Sequence, residues 1–384
     1  MPRGKKSEVV EVESQKKDSK IANLIRKIAE AGNKEFGEGT IFRGGDNTRL
    51  DVEAISTGSL SLDNAIGVGG LPKGRIIEIS GPEASGKTMV SLSTIAEVQK
   101  GGGVAAFIDA EHALTPDWCR NLGVDFDNLL LAQPESGEKA LSIMKFLVQE
   151  GKVDVIVLDS VAALVTQREI DGEMGDAHMA PTARLMSQAL KKLTPIVSQS
   201  NTCCIFINQI RENVGQMFGS KEITPGGKAL KFYSSVRLRV SKKYKSEKFD
   251  KNKHQIGHTT VVKVMKNKVA PPFREAEFDL YYNTGIDQDS EIVSLALAKG
   301  IITKSGKTYT YGDKEWVGLE RMTVGIRDDK ALTNEVRDKV RKALAEKAPD
   351  VSAEASLREE NGVLYDSKTG EVIDEVVKDE KDLD

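Results

Sequence analysis

The chain has 384 residues, of which 39% are hydrophobic and 29% are charged, and its formal net charge at pH 7 is −3. This length exceeds one ordinary core and predicts a large domain with a smaller one, and the composition is that of a folded globular protein. The near balance of charges argues against a nucleic-acid coat protein that is basic along its whole length.

The cysteine content and the lack of long apolar runs exclude further classes. The three cysteines include the adjacent pair Cys203 and Cys204, which lies in an apolar run, and their spacing fits neither a disulfide framework nor a zinc site. The N-terminus is charged from Arg3 to Lys20 without the apolar stretch of a signal peptide, and no run approaches the ~20 apolar residues of a membrane span. We therefore expect a cytoplasmic protein.

The first 50 residues are predicted to lie outside the core. Residues 1–19 are mixed in charge, lack hydrophobic periodicity and are predicted to be a flexible extension. Over residues 20–36, apolar side chains recur at helical spacing, which predicts an amphipathic helix that ends at the glycine-rich stretch 37–45.

Residues 51–286 are predicted to form an α/β core with a largely parallel, covered sheet, because short apolar runs alternate with helix-like segments. These runs are residues 76–79, 105–108, 155–158 and 204–207. Two further strands, 235–240 and 259–264, are joined by a lysine-rich connection over 241–253 and are expected to be antiparallel.

A small α+β domain is predicted over residues 287–347. It comprises a helix over 291–299, a hairpin with Gly312 and Asp313 at its turn, and a charged helix over 334–347.

Residues 348–384 are predicted to be a flexible acidic tail. The end of this tail contains Lys378 and Lys381 and seven acidic residues, which are Glu371, Asp374, Glu375, Asp379, Glu380, Asp382 and Asp384. Residues 371–384 carry a net charge of −5, whereas the whole chain carries −3. The rest of the chain therefore carries about +2. Such a tail either maintains solubility, which charge alone favours, or competes with nucleic acid for basic grooves.

The most specific motif is a phosphate-binding loop that lies between a predicted strand and a helical segment and matches G-x-x-x-x-G-K-[ST] in full. Its residues are Gly81, Pro82, Glu83, Ala84, Ser85, Gly86, Lys87 and Thr88. In such a loop the backbone N–H groups surround a phosphate, Lys87 bridges phosphate oxygens, and the Thr88 hydroxyl contacts Mg²⁺.

Two acidic residues follow predicted strands and fit the same site. Asp159 ends an apolar strand in the form of a Walker B element, whose carboxylate holds Mg²⁺ through water; the alternative is a helix cap before Ser160. Glu111 follows the strand 105–108, at the sheet edge that should face the nucleotide, where a carboxylate orients attacking water. The adjacent His112 is interpreted as a packing or hydrogen-bonding residue.

Four segments together resemble the bacterial RecA recombinase family, and the likeness extends from about residue 20 to about residue 347. The segments are residues 81–88, 109–114, 153–164 and 208–211. The resemblance implies a RecA-type P-loop NTPase core, and an arm over residues 20–50 in which the helix and a short strand at 40–43 contact the next subunit. It also implies ATP and Mg²⁺ as cofactors.

The family resemblance implies a DNA-dependent ATPase. Such an enzyme forms helical filaments on single-stranded DNA, pairs that DNA with a homologous duplex and exchanges strands. The family also promotes self-cleavage of a LexA-type repressor in the SOS response, and no residue of this chain points to that activity by itself.

The resemblance also assigns roles at the nucleotide. Glu111 activates water, Lys87 binds phosphate, and Gln209 senses the γ-phosphate and couples it to the DNA-binding loop that follows. Lys266 and Lys268 reach the ATP of the neighbouring subunit, which makes hydrolysis dependent on assembly. Composition alone would favour a solvated lysine pair.

Two loops are expected to bind DNA. The loop over 212–231 is rich in glycine and lysine, which suits phosphate binding, and a structureless stretch of this length is usually functional. The contacts expected in this loop or directly before it are Arg211, Gly226, Gly227, Lys228 and Lys231, and the resemblance assigns Val214 as a wedge between bases. The loop over 169–180 is acidic, and only the resemblance assigns Met179 as a wedge between bases and Arg184 as a phosphate contact.

The chain departs from the family pattern near the expected base site. Thr115 replaces an aspartate that usually contacts adenine, and Trp118 replaces an adenine-stacking tyrosine. Stacking on Trp118 is expected to persist, whereas base selectivity is less certain. Lys191 replaces a customary arginine, and the region 237–266 is slightly longer than usual.

Two rival functions use the same core. One is a ring-forming ATPase, such as a hexameric helicase, which a closed ring would identify. The other is a non-catalytic scaffold that assembles with ATP, and the presence of Glu111, Lys266 and Lys268 counts against it.

Overall fold

The computed structural model describes residues 5–37, 39–44, 52–173, 180–212 and 222–345, and the strands at 357–360, 363–366 and 372–375. Residues 1–54 and 55–384 form two units. No described helix combines the length and the apolar character that a membrane crossing requires.

The first unit contains α1 (Lys5–Phe36), which begins at Lys5 rather than at residue 20. The segment 5–19 lacks an apolar stripe but is rich in Lys and Glu, which favour helix without one. Residues 40–43 form no strand within this chain; the strand expected there was predicted to contact the next subunit, so it stays a prediction. The side chain of Asn33 on α1 hydrogen-bonds to both backbone groups of Ile41. Asn33 Nδ2 donates to the Ile41 carbonyl at 2.9 Å, and Asn33 Oδ1 accepts from the Ile41 N–H at 2.8 Å.

The second unit is built on a nine-stranded sheet. The first thirteen strands of the chain are β1 (Ala54–Ile55), β2 (Leu71–Pro72), β3 (Ile76–Gly81), β4 (Ala105–Asp109), β5 (Leu130–Ala132), β6 (Val155–Asp159), β7 (Cys203–Gln209), β8 (Arg211–Glu212), β9 (Glu222–Ile223), β10 (Val236–Phe249), β11 (Gln255–Asn267), β12 (Glu275–Tyr281) and β13 (Gly285–Ile286). The order in the sheet is β13-β12-β11-β10-β3-β7-β6-β4-β5. The pairs from β10 to β5 are parallel and those from β10 to β13 are antiparallel, which confirms the mostly parallel sheet.

Helices cover both faces of this sheet. They are α2 (Leu60–Ile66), α3 (Lys87–Lys100), α4 (Pro116–Asn121), α5 (Gly137–Glu150), α6 (Gln167–Asp171), α7 (Pro181–Ser200) and α8 (Ala229–Tyr233). Alternate residues of the buried strands enter two apolar clusters: Val155 and Val157 join the cluster that contains α2 and α3, and Ile156 and Leu158 join the one that contains α5 and α7. β6 is therefore apolar on both faces up to Asp159, as a sheet covered on both faces requires.

The lysine-rich segment 241–253 was predicted as a connection, but β10 continues to Phe249. Lysines of this extension pair with carboxylates of β12: Lys243 Nζ lies 2.5 Å from Glu277 Oε1, and Lys248 Nζ lies 2.8 Å from Asp279 Oδ2. Such ion pairs between strands allow a charged sequence to remain in a sheet.

The segment after β13 has an apolar cluster of its own. Its elements are α9 (Gln288–Ala298), β14 (Thr303–Ser305), β15 (Thr308–Tyr311), β16 (Lys314–Val317), α10 (Leu319–Asp328) and α11 (Lys330–Ala345). The hairpin turn at Gly312 and Asp313 is confirmed, because Tyr311 pairs with Lys314 across it. The buried carboxylate of Glu291 on α9 accepts from Leu60 N at 3.0 Å, at the start of α2.

The acidic tail contains some regular structure, whereas the sequence predicted a flexible tail. Three strands, β17 (Leu357–Glu360), β18 (Val363–Asp366) and β19 (Val372–Glu375), pair in antiparallel fashion. The apolar residues Leu357, Val363 and Val372 supply the β-forming character that a count of charges conceals.

The difference in burial between two phenylalanines predicts that the same substitution lowers the free energy of unfolding by very different amounts. Phe206 on β7 is fully buried, whereas Phe146 on α5 is 59% exposed. Phe206→Ala should lower the free energy of unfolding by about 3–5 kcal/mol because it leaves a cavity. Phe146→Ala should lower it by less than about 1 kcal/mol. Thermal unfolding of both variants measures the difference, and equal losses would contradict the burial of Phe206.

Candidate nucleotide and DNA site

The phosphate-binding loop connects β3 to α3, and its close packing requires glycine at two positions. A Cβ on Gly81 would lie 2.2 Å from the Val240 carbonyl oxygen. Gly86 has φ +99°, and a Cβ there would lie 3.0 Å from Leu280 Cδ1. Pro82, Glu83 and Ala84 form the exposed part of the loop.

The start of α3 presents positive potential to this loop. No side chain caps α3 at Gly86, so N–H groups of its first turn are free to bind an anion. Lys87 Nζ and Ser85 Oγ both donate to the Pro82 carbonyl, at 2.6 and 2.9 Å. Burial lowers the pKa of Lys87, although nearby Asp159, Glu111 and Glu83 oppose this shift.

Asp159 lies at the carboxyl end of β6 beside the first turn of α3. Thr88 Oγ1 donates to Asp159 Oδ2 at 2.7 Å. Burial is the main cause that raises the pKa of Asp159 to about 6; the Thr88 hydrogen bond and Lys87 oppose it, and Glu111 and Asp109 add to it. The carboxyl is therefore ionised above about pH 6 and neutral below it.

The Thr88 and Asp159 oxygens fit Mg²⁺, which prefers oxygen ligands and retains water. Within the described residues, no group of three His, Cys, Asp or Glu side chains forms a metal cage. A site of this type therefore requires phosphate and water to complete the coordination of the ion.

Glu111 follows β4 and faces the ends of two neighbouring strands. Its Oε1 accepts from Ser160 Oγ at 2.5 Å and from Gln209 Nε2 at 3.4 Å. The Glu111 backbone N–H donates to the Asp159 carbonyl at 3.2 Å. The structure thus brings together Glu111, Asp159 and Gln209, which are far apart in the sequence.

Trp118 lies on α4, where Thr115 is the residue before the first helical turn. The Trp118 indole Nε1 donates to the Tyr282 carbonyl at 3.1 Å, and Gln255 Nε2 donates to the Tyr282 hydroxyl at 2.6 Å. The sequence interpretation missed Tyr282 because β12, the strand before it, was not predicted.

Lys266 lies at the end of β11. Its Nζ donates to the Lys231 and Phe232 carbonyls at 2.9 and 3.0 Å, at the C-terminal end of α8. Burial, followed by the charges of Lys268 and Arg237, lowers the pKa of Lys266. The Lys268 backbone N–H donates to the Ser235 carbonyl at 2.9 Å.

The loop over 212–231 contains more regular structure than predicted. Arg211 and Glu212 form β8, which pairs with β9, and Lys231 lies in α8. The loop over 169–180 likewise begins within α6. Met179 and Val214 lie outside the described residues.

Apart from Arg211, the remaining predicted DNA contacts lie on α7, on α8 and directly before α8, and α7 packs against α8. Arg184 is exposed in the first turn of α7, and Lys228 and Lys231 are exposed at α8. Gly226 and Gly227 have φ of +79° and +76°, and a Cβ on either would overlap Val161 or Ala183. Close packing therefore explains these two glycines independently of DNA.

The family model of the RecA N-terminal domain matches residues 21–287. The chain belongs to the RecA family. "Protein RecA" of Heliobacterium modesticaldum is 56% identical over 324 residues, which cover 83% of this chain and 93% of the relative. "Protein RecA" of Frankia alni is 52% identical over 329 residues, which cover 85% of this chain and 93% of the relative.

This RecA-family protein is an ATP-hydrolysing recombinase of DNA recombination and repair, with a DNA-dependent ATPase activity. It binds ATP and DNA and assembles with copies of itself into a filament. Membership in this family separates the chain from the ring-forming ATPases and non-catalytic scaffolds that its core alone would allow.

The loop geometry of this RecA-family chain predicts unequal effects of two Gly→Ala substitutions on ATP binding. Gly86 and Gly102 both have positive φ, but only a Cβ on Gly86 would meet another side chain within 4 Å. Each substitution should cost about 1 kcal/mol of stability. Gly86→Ala should also weaken ATP binding by at least about tenfold, and Gly102→Ala by less than about twofold. Titration with a fluorescent ATP analogue measures this, and equal affinities would contradict the packing of the loop.

Proposed function

We propose that ATP is hydrolysed at the carboxyl ends of β3, β4, β6 and β7, with Glu111 as the residue that orients the attacking water. The observation that carries this proposal is the set of contacts that Glu111 makes with Ser160 and Gln209. The Glu111 side chain is exposed, so water has access to it. A positioned carboxylate acts as a general base or orients water for phosphoryl transfer.

The residues around Glu111 have complementary roles in this proposal. Residues 81–87 bind the phosphates through backbone N–H groups and Lys87, and Trp118 stacks on the base. Thr88 and Asp159 hold Mg²⁺, in the case of Asp159 through water, and the ion neutralises charge on the phosphates.

The proposed DNA contacts follow from Gln209. Its amide contacts Glu111 on one side, and the chain continues from it directly into Arg211 and β8. Gln209 therefore senses the γ-phosphate and alters the loop that follows. Arg184 and the loop residues Arg211, Gly226, Gly227, Lys228 and Lys231 bind the DNA backbone, and Met179 and Val214 act as wedges between bases.

Filament assembly is proposed to complete the nucleotide site. The helix over residues 20–36 exposes Ile21, Leu24 and Ile28, which supports its role as a docking element for the next subunit. Lys266 and Lys268 contribute positive charge to the neighbouring subunit's ATP. The strands of a homologous duplex are then exchanged through base pairing, which needs little recognition by side chains.

Two further proposals rest on family membership. A LexA-type repressor is a protein partner whose self-cleavage the filament promotes. The site of action is the cytoplasm, where the DNA substrate is.

Substitution of Glu111 tests the proposed site. Glu111→Gln should lower single-stranded-DNA-dependent ATP hydrolysis by about 100-fold, because the amide cannot accept a proton from water. Electron microscopy should still show filaments. Glu150→Gln, the same substitution at an exposed residue of α5, is the control and should retain full hydrolysis. Hydrolysis by Glu111→Gln at the unsubstituted rate would remove Glu111 from the mechanism.

Tail charge tests whether the acidic residues screen the DNA-binding surface. A chain that ends at Glu375 retains β19 and loses four acidic residues, Asp379, Glu380, Asp382 and Asp384, together with Lys378 and Lys381, so its net charge rises by 2. It should bind duplex DNA more tightly at low salt, with a smaller gain at high salt, because salt screens charge. A full-length chain with these four residues changed to Asn or Gln keeps Lys378 and Lys381 and should gain at least as much affinity. Equal affinities for all three chains at every salt concentration would leave the tail a solubility element.

A further inference from the structure

Asn208 is fully buried at the carboxyl end of β7, one residue before Gln209. Its Nδ2 donates to Glu78 Oε1 at 3.3 Å and to the Pro225 carbonyl at 3.2 Å. Its Oδ1 accepts from the Gln209 backbone N–H at 3.0 Å. One side chain thus joins the strand that leads to the phosphate loop, the backbone of the proposed γ-phosphate sensor, and the chain that returns from the DNA loop.

Glu78 fixes the direction of this amide. It is fully buried on β3 and accepts from Arg237 Nε on the neighbouring strand β10, where the two residues are paired in register. Arg237 donates to one carboxylate oxygen of Glu78, and Asn208 donates to the other. A buried carboxylate that loses a partner is strongly destabilised, so Asn208 cannot rotate away from it at low cost.

The chain that Asn208 contacts is here called the return segment and comprises residues 225–233. It lies against residues near the nucleotide site: a Cβ on Gly226 would be 2.6 Å from Val161 Cγ1, and one on Gly227 would be 2.8 Å from Ala183 Cβ. Val161 is two residues beyond Asp159. The return segment has no room for a side chain at Gly226 or Gly227. A displacement of Val161 or Ala183 must therefore displace the return segment.

The other end of the return segment is also held by a side chain of the central sheet. Lys266 Nζ donates to the Lys231 and Phe232 carbonyls. Lys266 pairs in register with Arg237, which contacts Glu78. Asn208 and Lys266 therefore hold the two ends of one segment, and both are linked to the same buried ion pair.

We propose that Asn208 is a positioning residue that transmits the state of the nucleotide site to the return segment. This inference rests on the proposed DNA-binding role of the loop. When Gln209 moves towards a bound γ-phosphate, its backbone N–H moves the Asn208 side-chain oxygen Oδ1 with it. The Asn208 amide then shifts the Pro225 carbonyl, and Gly226, Gly227 and Lys228 move with it because glycine packing couples them to Val161 and Ala183.

The test compares ATP hydrolysis with and without saturating single-stranded DNA in Asn208→Asp. This variant retains the shape and the acceptor for Gln209 N–H, but it removes the N–H groups that bind Glu78 and Pro225. The ratio of DNA-stimulated to DNA-free hydrolysis should fall by about tenfold, within the range of allosteric couplings. A merely structural defect would lower both rates together and leave their ratio unchanged.

Ser80→Ala is the matched control. Ser80 is buried on β3, lies opposite Asn208 in register, and donates to the Leu238 carbonyl at 3.2 Å, away from the return segment. Its loss removes one buried hydrogen bond and should change the ratio by less than about twofold. An equal fall in the ratio for Ser80→Ala would overturn the inference.

The outcomes separate this inference from the function on which it rests. Single-stranded-DNA binding that is unchanged when Lys228 and Lys231 are both replaced by Ala would refute the proposed DNA loop, and the inference with it. A wild-type response that Asn208→Asp retains in full would refute the inference alone. If Asn208→Asp does not fold, hydrogen exchange of the wild type decides: ATP and Mg²⁺ should alter amide protection over 226–233 without DNA, and no change there would overturn the proposal.

Discussion

Parallel pairing of β3, β7, β6 and β4 is the constraint on which the rest of the site depends. The register places Asp109 opposite Asp159 and Ser80 opposite Asn208, so the carboxyl ends of four strands end at one edge of the sheet. A slip of one residue would turn each polar side chain to the other face. Because an apolar cluster covers each face, that slip would place charged groups inside an apolar cluster, and the packing that stabilises the sheet therefore determines the geometry of the nucleotide site.

The same burial makes the site electrostatically unfavourable in the absence of a ligand. Burial raises the pKa of Asp159 and lowers that of Lys87, so each group is shifted towards its neutral form. The two groups and Thr88 compensate one another in part through a hydrogen bond and opposite charges. A phosphate and a cation complete this set of charges, which gives a physical reason for the affinity of a buried site for a highly charged ligand.

Polar side chains also connect this site to the return segment, for which we propose a role in DNA binding. Arg237 pairs with Glu78, Glu78 accepts from Asn208, and Asn208 accepts from the Gln209 backbone N–H, while the Gln209 side chain contacts Glu111. Lys266 is linked to Arg237 by the backbone register of β10 and β11. In a RecA-family protein, whose ATPase depends on DNA, such a chain of contacts supplies a physical route between the two ligands.

The sequence by itself determined the features whose chemistry is local. The phosphate loop, the acidic residues after two apolar strands and the turn at Gly312 were all predicted, because each depends on residues that are adjacent along the chain. The contact of Trp118 with Tyr282, the buried Glu78 and Arg237 pair, and the contact of Lys266 with α8 were decided only by the tertiary structure. Hydrophobic periodicity shows which face of a strand is buried, but it does not encode which strand lies beside it. Partners that are distant in sequence therefore emerge only when strand order and register are known.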